Sequence, residues 1–504
     1  MFNGPYTKGV TETGKAPVKY IEIDRRQMSL RSIDVEALIE ERHGARTIWQ
    51  FVDRLKLEKF EAKAKSFEGQ AGRAIWSPRL LISMWIYAYS KGISSAREIS
   101  RQCEYEPGFE WLTALQPVNH HTLSDFRVKH QTALKELFTQ VLAVLTMKGM
   151  ISLERVTQDG TKIRADVNRK SFSKPAQIRE HLKLAREQVE FMEQQSQQEE
   201  QIASRQKAAG ERARREHVQK LEQALSEMEK LTQEKKYHRA KEPQVSLTDP
   251  DAHFMRTGDG GLAPAYNVQL CTDTKRGLIV DVETVGDPQD AGQMTPAMER
   301  VKSTCAKFPA QAIADGGYTN HTTITEMAVR GIDYYGTWTG RNPRSSTENL
   351  RGKGFHWSQF EYDEQRAEYV CPEGKRLRFH HQTELGPDHR LYVFAASKSD
   401  CASCPSKSKC CPNTVIAKHG RTVSIDVPHA AVLSFDTKME TEEAKQIYKQ
   451  RAPIAEFPNA WIKAKFAFRR FRCRGLARVR SEAIWAALTY NLLRFFKLQQ
   501  VAVA

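Results

Sequence analysis

With 504 residues, 40% of them hydrophobic, the chain has material for a large buried core and for roughly two to four domains. The 77 Lys and Arg exceed the 61 Asp and Glu by 16, so at neutral pH it is a polycation whose field favours polyanionic partners, nucleic acid ahead of anionic membrane. No stretch approaches the roughly 18 to 20 apolar residues of a bilayer span, the N-terminal stretch lacks an apolar h-region, and nine cysteines, five of them between Cys371 and Cys411, do not suggest a secreted disulfide scaffold; a reducing cytoplasm is expected.

Residues 1–29 form a polar leader. From 30 to 150 apolar residues recur at helical spacing, with Ser77 and Pro78 as N-cap and first-turn signals of one helix. Arg127, Lys129 and His130 sit near the start of a longer helix, in a pattern that reads as a helix-turn-helix-like DNA-binding unit; an ordinary bundle with a solvated basic face remains open. Residues 151–174 contain the first strand. Residues 175–241 are rich in Glu, Gln, Lys, Arg and Ala, and predict two long antiparallel helices divided at Gly210, the alternative being a charged linker. Residues 242–337 read as a β-hairpin, a helix, a short buried strand ending near Asp315, and a helix with capping-box spacing at Thr323 and Glu326. This order predicts a mixed α/β layer around a central sheet. Residues 338–426 look irregular and cysteine-containing, and 427–504 close the chain with helices, Ile484, Leu488, Leu492 and Phe495 forming a core stripe.

Asp159 and Asp315 each fall at or just past a predicted strand end, and each precedes a glycine that lets the backbone approach a bound group. Far downstream, "YKQRAPIAEFPNAWIK" sets Arg451, Glu456 and Lys463 at offsets of three, eight and fifteen from Tyr448. That string resembles the acidic helix of the DDE transposases of bacterial insertion sequences, in the branch with a Tyr-Arg-Glu-Lys signature and a helical insert between the first two acidic strands. The resemblance extends to "WSPRLLISMWIYAYSKGISSAREI", "DGTKIRA", "TDPDAHFMRTGDGGLAPAYNVQ" and "ADGGYTN", and runs from about residue 30 to 497. One departure is that four residues, not three, separate Arg451 from Glu456.

The resemblance implies an RNase H-like core, with Asp159, Asp315 and Glu456 as a triad holding two Mg2+ (or Mn2+) ions. It implies cleavage at element ends followed by strand transfer of the freed 3′-hydroxyl into target DNA, in a homodimeric synaptic complex. Hard divalent ions prefer oxygen ligands, and a pair about 3.5 to 4 Å apart clamps a scissile phosphate. Arg451, Lys463 and Tyr448 would contact phosphate, Arg bidentately and Lys as a point charge, as Arg127 and Lys129 would in the N-terminal unit. Pro458 must fall in a first turn or at a kink.

Asp249, Asp251 and Asp259 read as turn formers, and Asp287 and Asp290 as neighbours of the site at most. Cys401 and Cys404 have C-x2-C spacing, with Cys410 following; Cys371 would complete a four-thiolate zinc shell, the alternative being free reduced thiols. A nuclease of the same fold without strand transfer, and a domesticated DNA-binding protein without catalysis, are the competing functions. Strand-transfer assays separate the first, and an intact triad argues against the second.

Overall fold

The computed structural model describes residues 32–62, 75–196, 204–234, 243–258, 260–337, 355, 359–386, 389–410, 420–427 and 430–501. The polar leader, Asp259 and Cys411 lie outside them. Helical spacing before residue 150 resolves into α1 (Gly44–Val52), α2 (Glu58–Glu61), α3 (Pro78–Ser90), α4 (Ala96–Gln102), α5 (Pro107–Thr113), α6 (His120–Lys129) and α7 (Gln131–Met147). Pro78 opens α3 as expected, although the Ser77 side chain makes no cap bond. From Leu80 to Tyr89 every residue of α3 is buried, so this helix runs through the interior and does not lie on it.

Burial corrects the reading of Arg127. It ends α6 rather than beginning a helix, is 5% exposed, and donates to the Ser94 carbonyl at 2.9 Å. Its guanidinium lies 4.5 Å from the Trp85 ring centroid and 3.9 Å from the fully buried Glu482 carboxylate, so its charge is spent inside the protein and not on phosphate. Lys129 stays exposed and pairs with Asp125 at 2.6 Å. A single apolar core contains Ile48, Trp85, Leu137, Val156, Leu270, Ala312 and Leu488 alike, and thus joins the N-terminal helices to the sheet and to the C-terminal helix.

The central sheet comprises β1 (Arg155–Arg164), β4 (His253–Arg256), β5 (Leu262–Asp273), β6 (Leu278–Val285), β7 (Gln311–Ala314) and β8 (Asp333–Gly336); β2 (Phe172–Ser173) and β3 (Val245–Ser246) form a separate two-stranded ladder. β1 is antiparallel to β5 and β5 to β6, whereas β1 is parallel to β7 and β7 to β8. Three antiparallel strands continued by two parallel ones, with β1 in the middle, are the RNase H-like arrangement. Gly277, at φ +67°, makes the tight turn between β5 and β6, a conformation that costs other residues more. α10 (Met294–Cys305) and α11 (His321–Val329) are the crossovers that parallel strands require. Asn320, not Thr323, caps α11: its side chain accepts the Thr323 N–H.

The charged insert folds as α8 (Pro175–Ser196) and α9 (Ser204–Glu234). Arg186 pairs with Glu222 at 2.8 Å, while Leu182 and Ala185 pack on Leu221 and Ile178 on Met228, so the helices run antiparallel. Gly210 lies inside α9 and does not divide the insert; strong helix formers on both sides offset its cost of about 1 kcal/mol. Val245 and Leu247 pack against the hairpin's base.

The supposedly irregular region is a second sheet. β9 (Glu361–Asp363), β10 (Glu368–Val370), β11 (Arg376–Gly386), β12 (His389–Ala396) and β13 (Thr422–Val427) pair antiparallel in that order, with α12 (Lys398–Ala402) and α13 (Lys407–Cys410) between the last two. Its core is small: Phe360, Leu377, Phe394, Ala396 and Val423. Exposed Arg378, Phe379, His380 and His381 interrupt the alternation that would have marked β11 as a strand.

The chain ends in α14 (Ala430–Glu440), α15 (Glu442–Lys449), α16 (Arg451–Lys465) and α17 (Leu476–Val501). Leu488, Leu492 and Phe495 are buried and Ile484 partly so, as the stripe requires. Asp249 and Asp251 are more than turn formers. They accept the Gly475 and Leu476 N–H groups at 3.0 and 2.8 Å, anchoring the start of α17 from a distant segment.

Candidate active site

Gln158 on β1 pairs with Ala314, the last residue of β7, so Asp159 and Asp315 are the next residues on two parallel neighbours. Asp315 follows its strand's end as expected. Asp159 does not: β1 continues to Arg164, but β7 stops pairing just before Asp159, which opens that edge of the strand. The glycine after Asp159 has a steric cause. A Cβ on Gly160 would lie 2.5 Å from Asp290 Oδ1, 2.6 Å from Gln269 Nε2 and 3.0 Å from Asn267 Oδ1. Asp290 Oδ1 accepts from the side chains of Asn267 at 2.7 Å, Gln269 at 2.8 Å and Lys162 at 2.9 Å, so this acid is held against Gly160 by its own three donors. The Gly317 N–H closes the other turn onto Asp315 Oδ1 at 2.8 Å.

Burial pushes the Asp159 carboxyl up to about 6; Arg451 draws it down, Asp315 raises it further, and the Gly160 N–H and the Asn459 amide favour its ionised form. The amide bond is direct, from Asn459 Nδ2 to Asp159 Oδ2 at 2.9 Å. The sequence reading missed Asn459. Its signal was a polar residue one turn beyond Glu456 in an otherwise apolar run, where it is 8% exposed. Its Oδ1 is buried without a hydrogen-bond partner, next to a carboxylate.

Glu456 lies one turn before Asn459 on α16, but its side chain is 64% exposed, and the apolar neighbours do not enclose it. It faces Arg451 at 3.8 Å, so Arg451 acts on both Asp159 and Glu456. Lys463 is half-buried two turns further along the helix. Tyr448 packs its ring against Ile313, Tyr335 and Ile447, and its hydroxyl meets Thr337 Oγ1 at 3.1 Å. Pro458 is inside α16, well past its first turn. Glu442 and Glu443 open α15 in solvent, as acids at a helix start do.

Among the described residues no three His, Cys, Asp or Glu side chains converge closely enough, as they stand, to hold a metal ion. The structure brings together Asp159, Asp315, Arg451 and Asn459, and leaves Glu456 at the rim. No described helix is long and apolar enough to cross a membrane.

Residues 33–129 match the family model of a transposase domain (DUF772), and residues 370–496 match that of a transposase DDE domain. The second match spans Tyr448, Arg451, Glu456 and Lys463; Asp159 and Asp315 lie between the two. No curated protein matches the chain. Among solved structures, a piggyBac transposase synaptic complex with hairpin DNA, seen by cryo-EM, overlays with a TM-score of 0.32 at 8% identity, covering 92% of this chain and 75% of that one. That overlay is too loose to bear on fold or chemistry. The two family matches, a transposase domain near one end and a transposase DDE domain near the other, with the paired aspartates between them, indicate a DDE transposase of the insertion-sequence type.

Proposed function

We propose that the protein cleaves phosphodiester bonds at the ends of its own element and joins the freed 3′-hydroxyl to target DNA, working as a homodimer on nucleoid DNA in the cytoplasm. The observation that carries this reading is the Asp159 and Asp315 pair on adjacent parallel strands, with Arg451 and Asn459 delivered from α16.

The donors fit a hard divalent ion. Two neighbouring carboxylates disfavour each other's charge, and the unpartnered Asn459 Oδ1 is a further oxygen beside them. Asp159 and Asp315 would hold Mg2+ or Mn2+, and Glu456 would join them by turning its exposed side chain inward from the same helix. Two such ions, when bound, supply an activated oxygen nucleophile and charge stabilisation at the leaving oxygen. The chain's own groups do the rest. Arg451 grips a non-bridging phosphate oxygen while favouring the ionised form of Asp159, and Lys463 adds a second positive charge along α16. Asn459 fixes the Asp159 carboxylate by its amide bond, and Asp290 fills the space that a side chain at position 160 would need.

Backbone contact with DNA is supported by exposed Arg469, Arg470, Arg472, Arg474 and Arg478, in the segment that meets the end of β1 through Arg164 and Arg470. The division of labour proposed along the chain assigns element-end recognition to residues 30–150 and chemistry to the central sheet with α16. A separate zinc ion is proposed for the cysteines of the second sheet.

The test is Glu456→Gln, which keeps shape and removes one anionic oxygen. Cleavage and strand transfer with Mg2+ should be lost while binding to element ends persists, and Glu442→Gln should change neither. Near-normal cleavage by the Glu456 variant would remove that residue from the site. Cleavage by the wild-type protein without joining would favour the plain nuclease.

A further inference from the structure

Cys371 follows β10, Cys401 lies in α12, Cys404 follows that helix and Cys410 closes α13. Segments separated by up to 39 positions in sequence thus bring four thiols to the wall of one cavity of ≈ 20 Å³, room for a single ion or water. Backbone groups already address two of the sulfurs: the Lys375 N–H donates to Cys371 Sγ at 3.2 Å, and the Arg421 N–H to Cys401 Sγ at 3.2 Å. The first bond belongs to a tight turn, Cys371-Pro372-Glu373-Gly374-Lys375. Within it the Cys371 N–H donates to the Lys375 carbonyl at 2.8 Å, and Gly374 adopts φ +71°. The Lys375 and Arg421 N–H groups stand where they can donate to, and orient, a metal-bound sulfur.

The surroundings fit a charged centre as well. Lys375, Lys407 and Arg421 line the same cavity with Glu373 and Asp400, so the lining leaves an excess of positive charge that would partly offset the surplus negative charge of four thiolates around a divalent ion. Gly420 admits the returning chain: a Cβ there would come within 2.5 Å of Cys401 Sγ and 2.6 Å of the Ser397 carbonyl oxygen.

We propose that Cys371, Cys401, Cys404 and Cys410 bind one structural Zn2+ ion as a tetrathiolate. The ion draws the four sulfurs to about 2.3 Å from itself, closer to one another than they now stand, and ties α12 and α13 to the turn after β10. Its site is remote in sequence from Asp159 and Asp315, and its role is to hold the second sheet together. Soft sulfur ligands select zinc over the magnesium expected at the carboxylates. This proposal stands independently of the cleavage chemistry.

The test uses the full-length protein purified from zinc-supplemented cells. Elemental analysis should find about one zinc per chain, and Cys401→Ser with Cys404→Ser should lose it along with thermal stability. Thiol titration of native protein should rise by four groups per chain once a chelator removes the metal. If the double variant does not fold, loading the metal-stripped wild-type chain with Co2+ decides: the intense visible bands of tetrahedral cobalt thiolate are expected. Folded wild-type protein lacking zinc, iron in its place, or a cobalt spectrum without thiolate bands overturns the proposal.

Discussion

Replacing Asp159 with asparagine should stabilise the metal-free protein while destroying its activity. Burial lifts this carboxyl from 3.8 to about 6 even with Arg451 nearby, so the folded chain holds the charge at a cost. At 1.36 kcal/mol per pH unit, that rise withholds about 3 kcal/mol of folding free energy. The folded value lies above the unfolded one. The penalty is therefore absent at low pH, grows as pH rises from 3.8 toward about 6, and is complete above that. Asparagine removes the charge, keeps the shape, and can still accept the Asn459 amide bond now made at 2.9 Å.

Denaturation in the presence of a chelator is the assay. The variant should exceed wild type by up to about 3 kcal/mol at pH 7.5, and by about half as much at pH 5, where the wild-type group is mostly protonated when folded. Adding Mn2+ should reverse the order, because only the wild-type protein gains by binding it. A variant no more stable than wild type at pH 7.5, or one whose advantage ignores pH, would refute the argument that this carboxylate is held ready for a cation.

Arg127→Ala should destabilise the fold by about 3 to 5 kcal/mol, because it strands Glu482 in the core, and should leave the salt dependence of DNA binding unchanged; a weaker DNA complex with unaltered melting would restore the phosphate reading. Gly160→Ala should cost about 1 to 3 kcal/mol and slow cleavage, since the methyl must displace Asp290 or Gln269 from the contacts beside Asp159. Unchanged melting and cleavage would show that this wall yields.

The Asp-Gly pairs were legible because an acid followed by a residue without Cβ marks them locally, although only Asp315 lies past its strand's end, Asp159 sitting inside β1 where the pairing with β7 stops. What a local rule does not contain is the third side chain at Gly160: Asp290 arrives from a loop well over a hundred residues away, and only the β1 and β5 register puts it there. Arg127 fails for a related reason. A basic residue on a short helix looks solvated until Glu482, in the last helix, is folded against it. On α16 the spacing marks Tyr448, Arg451, Glu456 and Lys463 as one signature, while Asn459, outside it, makes the direct bond to Asp159. The second sheet escaped because β11 exposes Phe379 among histidines and arginines, and so lacks the strict alternation of a half-buried strand.

Glu482 does more than neutralise Arg127: it also accepts the N–H groups of Arg472 and Cys473, in the loop leading from α16 to α17. That loop continues the helix that carries Arg451, Glu456 and Asn459. One buried carboxylate therefore clamps the last helix, the loop behind the catalytic candidates and the end of α6 in the N-terminal unit. The shared apolar core and the Trp85–Trp485 stack reinforce the same connection. A unit tied in this way cannot act as a DNA-reading module on a tether. On the proposed division of labour, DNA bound along the N-terminal helices would load Arg127 and Glu482, and through them the loop that continues α16, on which Glu456 stands exposed beside Arg451.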